Sequence, residues 1–396
     1  MSVVEIRPDV FWIGVNDRKT DLFEGTWPIS EEGIVNNSYF INDEKKTIID
    51  SAKAFQKDEY IDKVSEIVDP SEIEYIIINH MEPDHSGLLE NILKIAPRAT
   101  LIGTDRTGKL LEAFYGITDR VKVVKDGETL SLGKRTLTFV STPMVHWPET
   151  MMTYCADDNI LFSGDGFGGY GALKDDIFDE NCPDIDYYIK ESLRYYTNIV
   201  SKFGKMVTRA LEKLSPLSIK IIAPSHGLVW KKEPNRIIDL YRKWSLYTEG
   251  TGERGITIIH GSMYGNTDMM LDAVIETLKK GEIPFESFDA SRTHVSYILP
   301  SLLTRSGVIV GAPTYEAGLF VPVANVLDMA MRKGVKNKKV FRFGSYGWSG
   351  GAQKEFEKIV GDMKWDIAGS FEFNGRPTKD DLKKGKTLFA EFVKGL

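Results

Sequence analysis

The chain of 396 residues contains only two cysteines, Cys155 and Cys182, and neither stands in a Cys-x-x-Cys pair. A disulfide framework and a thiolate metal site are both excluded, so any metal must be held by nitrogen and oxygen. No stretch reaches about 18 apolar residues, which excludes a membrane-spanning helix. The opening segment lacks a basic region followed by an apolar one, so no secretory leader is read and a cytoplasmic protein is expected. No long basic run occurs, and 50 Lys+Arg against 57 Asp+Glu give a net charge of −7, so a surface for tracking nucleic-acid phosphates is excluded. There is no internal repeat and no low-complexity tract. What is present is the composition of a globular protein, 42% hydrophobic and 27% charged, with length for two or three domains.

Charge divides the chain. Residues 1–255 carry 31 basic and 41 acidic side chains (−10), whereas 256–396 carry 19 and 16 (+3). The glycine-rich stretch 248–255 between two periodic segments has the chemistry of a linker, which predicts domains at 1–250 and 255–396. In the second part strand-like runs (256–260, 285–289, 308–311, 339–343, 367–373) alternate with helical ones (267–280, 295–303, 322–332, 352–363, 379–393). Five such repeats predict a doubly wound parallel five-stranded sheet of flavodoxin type. The first part reads as a mixed αβ layer pattern. Short β runs (10–15, 38–41, 47–50, 76–79, 136–140, 151–155, 219–223) are interleaved with helical stretches at 58–68, 87–95 and 186–214.

The run Ile76-Ile-Ile-Asn79 leads directly into His80-Met-Glu82-Pro-Asp84-His85-Ser-Gly87. In extended chain, residues i, i+2 and i+4 share a side, so His80, Glu82 and Asp84 are expected to converge, with Pro83 opposing helix. One histidine beside acids is ordinarily a solvated loop. Here, however, four of only six histidines, His80, His85, His146 and His226, each follow a β-like run, and Asp165 closes 160–165 in the same way. Four such histidines with three such acids predict one site at one end of a sheet.

This pattern resembles the metallo-β-lactamase-like domain of the flavodiiron proteins, and the resemblance implies an αββα sandwich for the first part. Zinc hydrolases of that superfamily carry histidine where this chain has Glu82. A carboxylate there adds a hard, negative donor that offsets the charge of a trivalent ion and favours iron over zinc. The resemblance implies that His80, Glu82 and His146 bind one iron and that Asp84, His85 and His226 bind the other, with Asp165 bridging them. His85 is the position at which family members differ. His260 and His294 match no ligand position, and Trp147 reads as a packing residue beside His146.

The first strand of the second part ends in Gly261-Ser262-Met263-Tyr264-Gly265-Asn266-Thr267, at the start of a helix. It has neither the lysine of a nucleoside-triphosphate loop nor the glycine spacing of a dinucleotide fold. Backbone N–H groups at the helix start, with the Ser262 and Thr267 hydroxyls, can hold one phosphate dianion. Two more strand ends, Pro313-Thr314-Tyr315-Glu316 and Ser345-Tyr346-Gly347-Trp348-Ser349-Gly350, open where such a sheet binds FMN. Together the three loops resemble the FMN site of flavodoxins and flavodiiron proteins. Many flavodiiron relatives have asparagine after the Pro-Thr pair, where this chain has Tyr315-Glu316, and a carboxylate near the flavin disfavours its anionic reduced forms.

The resemblance implies an FMN- and diiron-dependent oxidoreductase that reduces dioxygen to water, nitric oxide to nitrous oxide, or both. No rubredoxin-like module follows the second part, so an external donor is expected, a rubredoxin or the deazaflavin reduced F420. A head-to-tail homodimer, or a dimer of such dimers, is implied as well. Two other functions fit fewer features: a zinc-dependent metallo-β-lactamase-like hydrolase with a tethered flavodoxin domain, and a non-enzymatic flavodoxin-type electron carrier.

Overall fold

The structure is a computed structural model that describes residues 1–396. Its strand Ile73–Ile77 shows how sequence alternation builds the first unit. Ile76 and Ile78 enter a core shared with helices, among Tyr60, Val64, Leu89 and Ile92, while Ile77 enters a second core between two sheets. The neighbouring strands Tyr39–Ile41, Lys46–Ile49 and Thr100–Gly103 divide their side chains the same way. Phe40, Ile48 and Leu101 go to the helix side, and Tyr39, Ile49 and Ile102 go between the sheets. This is the period-2 geometry of a strand covered on both faces.

By compactness the chain divides into Met1–Arg242 and Lys243–Leu396. In the first unit a seven-stranded sheet runs in the order Val4–Arg7, Val10–Trp12, Tyr39–Ile41, Lys46–Ile49, Ile73–Ile77, Thr100–Gly103, Val121–Val123. A five-stranded sheet, Thr129–Ser131, Thr136–Ser141, Met151–Cys155, Ile160–Gly164, Ile221–Pro224, closes the inter-sheet core with Phe139, Phe162 and Ile221. In the second unit five parallel strands lie in the order Phe285–Asp289, Glu253–His260, Arg305–Gly311, Lys339–Tyr346, Asp366–Asn374. The second strand in sequence is thus at the edge beside the first, the doubly wound order of flavodoxins. Helices Asn266–Lys280 and Lys379–Lys394 cover it with Met270, Val274, Phe389 and Phe392. No helix is long and apolar enough to cross a membrane.

The expected helical stretch 186–214 is not one α-helix. It runs as Ile185–Tyr195, a π-helical turn Tyr196–Val200, a 3-10 turn Ser201–Phe203 and then Gly204–Leu214. The wider turn lets two consecutive tyrosines bury in different surroundings, Tyr195 against Phe23, Tyr170 and His226, and Tyr196 against Tyr241.

Candidate metal centre and flavin site

Strand Ile73–Ile77 ends three residues before His80, and His80 and Glu82 follow it in a bent segment rather than in extended chain. Pro83 is the first residue of a helical turn, Pro83–Ser86, so Asp84 and His85 reach the site from a helix. The expectation that Pro83 opposes helix is therefore wrong, although Glu82 before it does keep φ −57 and ψ 141, outside the helical region. Proline lacks only an N–H that a first helical residue does not use, and its fixed φ suits that position. His146 likewise lies not at a strand end but in the loop between strands Thr136–Ser141 and Met151–Cys155, whereas Asp165 and His226 follow their strands closely.

The seven residues meet in two groups. Metal-ligating atoms of His80, Glu82, His146 and Asp165 lie within 4.8 Å of one another, and so do those of Asp84, His85 and His226. Asp165 faces both. Its Oδ2 is 3.3 Å from His80 Nε2 and 3.2 Å from His146 Nε2, while its Oδ1 is 3.0 Å from His85 Nε2 and 3.5 Å from His226 Nε2. Glu82 Oε2 lies 3.2 Å from His80 Nε2 and 3.1 Å from His146 Nε2. Asp84 Oδ2 lies 3.2 Å from His226 Nε2.

The electrostatics call for cations. Burial opposes the imidazolium of His80, yet Asp165, Glu149 and Glu82 carry its pKa up to about 10. Burial likewise opposes charge on His146 and His85, but the carboxylates raise them to about 10 and about 9. Burial also works against ionised Asp165, but the imidazoles of His85 and His80 hold its carboxyl well below the usual range. Both carboxylate oxygens of Asp84 and of Asp165, and Nε2 of His226, are buried without a hydrogen-bond partner. Such atoms are costly unless a cation satisfies them, and a thiolate-free set of imidazoles and carboxylates fits a pair of iron ions.

Supporting residues hold this geometry. Asp50, fully buried, accepts from Asn79 N (2.8 Å) and Asn79 Nδ2 (3.1 Å) just before His80. The Ser51 hydroxyl donates to the His85 carbonyl at 2.7 Å, and His226 Nδ1 is 2.7 Å from the Val35 carbonyl. Glu149 sits behind His80. Sequence reading missed Asp50 and Glu149, although Asp50 closes a β run as Asp165 does and Glu149 follows His146 by three residues. Trp147 packs edge-on to His80 and His146. A cavity of about 630 Å³ opens on Glu82 and Asp84 and is lined also by Phe23, Lys53, Phe114 and Tyr115.

In the second unit a cavity of about 660 Å³ is lined by Ser262, Met263, Tyr264, Asn266, Pro313, Thr314, Tyr315, Glu316, Ser345, Tyr346, Gly347, Trp348 and Ser349. Gly265, Thr267 and Gly350, also expected at the site, are not among its lining residues. Gly265 takes φ +86 at the helix start, a conformation that favours glycine, and no side chain caps that helix. The Ser262 hydroxyl accepts from Gly265 N at 3.0 Å, which leaves its own proton to donate, and the Thr267 hydroxyl lies 3.4 Å from that of Ser345. Thr314 Oγ1 is buried without a partner. A phosphate-bearing aromatic cofactor fits this uncapped helix start, orphaned hydroxyl and aromatic rim. Of the two remaining histidines, His294 caps helix Val295–Thr304 and His260 lies beside Asp268.

Residues 34–227 match the model of the ODP family beta lactamase, and residues 258–386 match that of flavodoxin. A nitric oxide reductase of Moorella thermoacetica is 34% identical over 92% of this chain and 91% of its own length. Among solved structures, rubredoxin oxygen:oxidoreductase from Desulfovibrio gigas superposes with a TM-score of 0.94 at 28% identity, covering 100% of this chain and 98% of that one. A flavodiiron protein variant from Thermotoga maritima gives a TM-score of 0.91 at 33% identity, covering 99% and 98%. Two domain types in this order, matched end to end by relatives above 30% identity, place the chain in the flavodiiron protein family.

Proposed function

We propose that this chain uses FMN and a diiron centre to reduce dioxygen to water, nitric oxide to nitrous oxide, or both. The observation that carries this reading is the presence in one chain of a seven-residue nitrogen–oxygen cage and a lysine-free phosphate cradle. In it His80, Glu82 and His146 would hold one iron, Asp84, His85 and His226 would hold the other, and Asp165, which faces both groups, would serve each. When bound, the irons supply a redox-active site for a diatomic gas and FMN supplies the electrons. The protein's part is charge, shape and exclusion of water. Three carboxylates offset the charge of the irons, and Asp50 and Ser51 fix the loops that carry His80 and His85. Phe23 and Phe114 give the approach to Glu82 and Asp84 an apolar wall suited to small uncharged gases.

Electrons come from an external donor, a rubredoxin or reduced F420. Tyr264 and Trp348, 91% and 97% exposed at the rim of the flavin cavity, leave an aromatic surface for a second copy of the chain. The family resemblance adds a head-to-tail homodimer, alone or doubled, as the working unit, and this exposed aromatic rim is compatible with it. Both cysteines are unpaired, which suits a reducing cytoplasm.

Metal and flavin analysis of the purified chain, followed by rapid mixing of the reduced protein with each gas, tests this reading. About two irons and about one FMN per chain with oxidation by a gas are expected. Zinc without gas reduction would point to a hydrolase, and flavin without metal to an electron carrier.

The phosphate cradle has its own expected result. Ser262→Ala with Thr267→Val weakens FMN binding by a hundredfold or more, since each lost charge-assisted hydrogen bond is worth roughly 1.5–3 kcal/mol. Iron content stays unchanged. Flavin titration of the apoprotein measures this, and undiminished affinity would move the phosphate elsewhere.

A further inference from the structure

We propose that Glu149 is a positioning residue that makes the two metal positions chemically unequal, an inference that rests on the diiron reading above. Glu149 Oε1 lies 2.7 Å from His80 Nδ1, and both side chains are fully removed from solvent. The same oxygen accepts from the Met81 backbone N–H at 3.0 Å. A carboxylate that already takes a peptide N–H acts as acceptor toward the ring as well, so His80 carries its proton on Nδ1. Nε2 is thereby left facing the cage as the atom that would ligate a metal, with Glu82 and Asp165 3.2 and 3.3 Å away.

The counterpart in the other group is different. His226 Nδ1 meets a neutral backbone carbonyl, that of Val35, and His85 Nδ1 is buried with no partner. Of these three imidazoles only that of His80 has a carboxylate hydrogen-bonded to its outer nitrogen. An anionic acceptor behind a ligating imidazole raises its donor strength and favours the more highly charged metal, whereas a carbonyl does so weakly. The position held by His80, Glu82 and His146 therefore binds its ion more tightly and stabilises the oxidised form more than its neighbour does.

The carboxylate is anchored for this task. The Thr104 hydroxyl, which caps helix Asp105–Tyr115, donates to the Glu149 carbonyl at 3.1 Å, and the adjoining Thr150 N–H and hydroxyl bond back to the loop that carries His146. The second oxygen, Oε2, is buried without a partner. A packing role alone does not account for a carboxylate in such a place, because an apolar side chain would fill it without that desolvation cost.

The test compares wild type, Glu149→Gln and Glu149→Asp as full-length, FMN-loaded protein, using anaerobic titration with ferrous ions and Mössbauer spectra of the loaded states. Gln keeps the shape and loses the charge; Asp keeps the charge at shorter reach. In Glu149→Gln one equivalent is expected to bind as in wild type and the other 10- to 100-fold more weakly, with the weakened ion harder to oxidise. Glu149→Asp is expected to recover part of that loss. If Gln binds both equivalents with wild-type affinity and an unchanged spectrum, or if Gln and Asp lose equally, the proposal is overturned while the diiron reading stands. If wild type itself takes up no iron, the diiron reading fails and this inference fails with it.

Discussion

Asp165→Ala is expected to strip both irons from the protein while leaving FMN at its wild-type occupancy. The carboxylate directs one oxygen at His80 and His146 and the other at His85 and His226, so its loss removes a donor from both coordination spheres at once. Metal sites of this kind gain their affinity from the whole deprotonated donor set, and removing a shared anion costs more than removing a ligand of one ion. Iron per chain should fall from about two to near zero, read by elemental analysis, while flavin absorbance is unchanged because the FMN cavity belongs to the second unit. Glu82→Ala, by contrast, should lose the iron of the first group preferentially. Full iron occupancy in Asp165→Ala would remove the bridge from the mechanism.

Mixing two inactive variants should restore activity. Asp165→Ala supplies a chain with flavin and no iron; Ser262→Ala with Thr267→Val supplies a chain with iron and no flavin. In a head-to-tail dimer the flavin of the first faces the metal centre of the second, so each mixed dimer holds one working centre. Random exchange makes half of the dimers mixed, each with half its centres working, for about a quarter of wild-type activity per chain. Tyr264 and Trp348 are exposed at the rim of the flavin cavity and so are open to such pairing. No recovery after exchange has been demonstrated by mass spectrometry would place electron transfer within one chain.

The order of elements in the second unit was legible, because apolar runs such as Ile256–Ile259 and Val308–Val310 alternate with amphipathic helical segments, although strands Glu253–His260 and Arg305–Gly311 each begin three residues before their expected starts. The expected strand 285–289 and the start of helix Val295–Thr304 coincide with the structure. Strand Lys339–Tyr346 runs three residues past its expected end, where pairing with Asp366–Asn374 persists through the small, polar residues Gly344 and Ser345. The metal residues were legible as types, since histidines are few and most follow β runs. Their backbone was less so. Proline signals both a break and a helix start, and only tertiary context selected the turn that brings in Asp84 and His85. Glu149 and Asp50 were missed for another reason: their partners, His80 and Asn79, are distant in sequence, so the place of Asp50 at the close of a β run and of Glu149 near His146 did not show what either would hold. The π-helical turn at Tyr196–Val200 is likewise decided by what the tyrosines meet, not by their order.

The raised imidazoles of the cage have a consequence for how the centre is assembled. With the surrounding carboxylates raising His80 and His146 to about 10 and His85 to about 9, protonation of these rings competes with a metal ion for the same nitrogens at neutral pH. Metal ligation needs the neutral rings, so loading is an exchange of cations in which each ion must evict the protons it replaces. Below these values every step towards acid adds competitors and weakens uptake, and towards alkali the competition fades. Protons on these rings also offset the charge of Glu82, Asp84 and Asp165, whose oxygens lie 3.2, 3.3 and 3.0 Å from them.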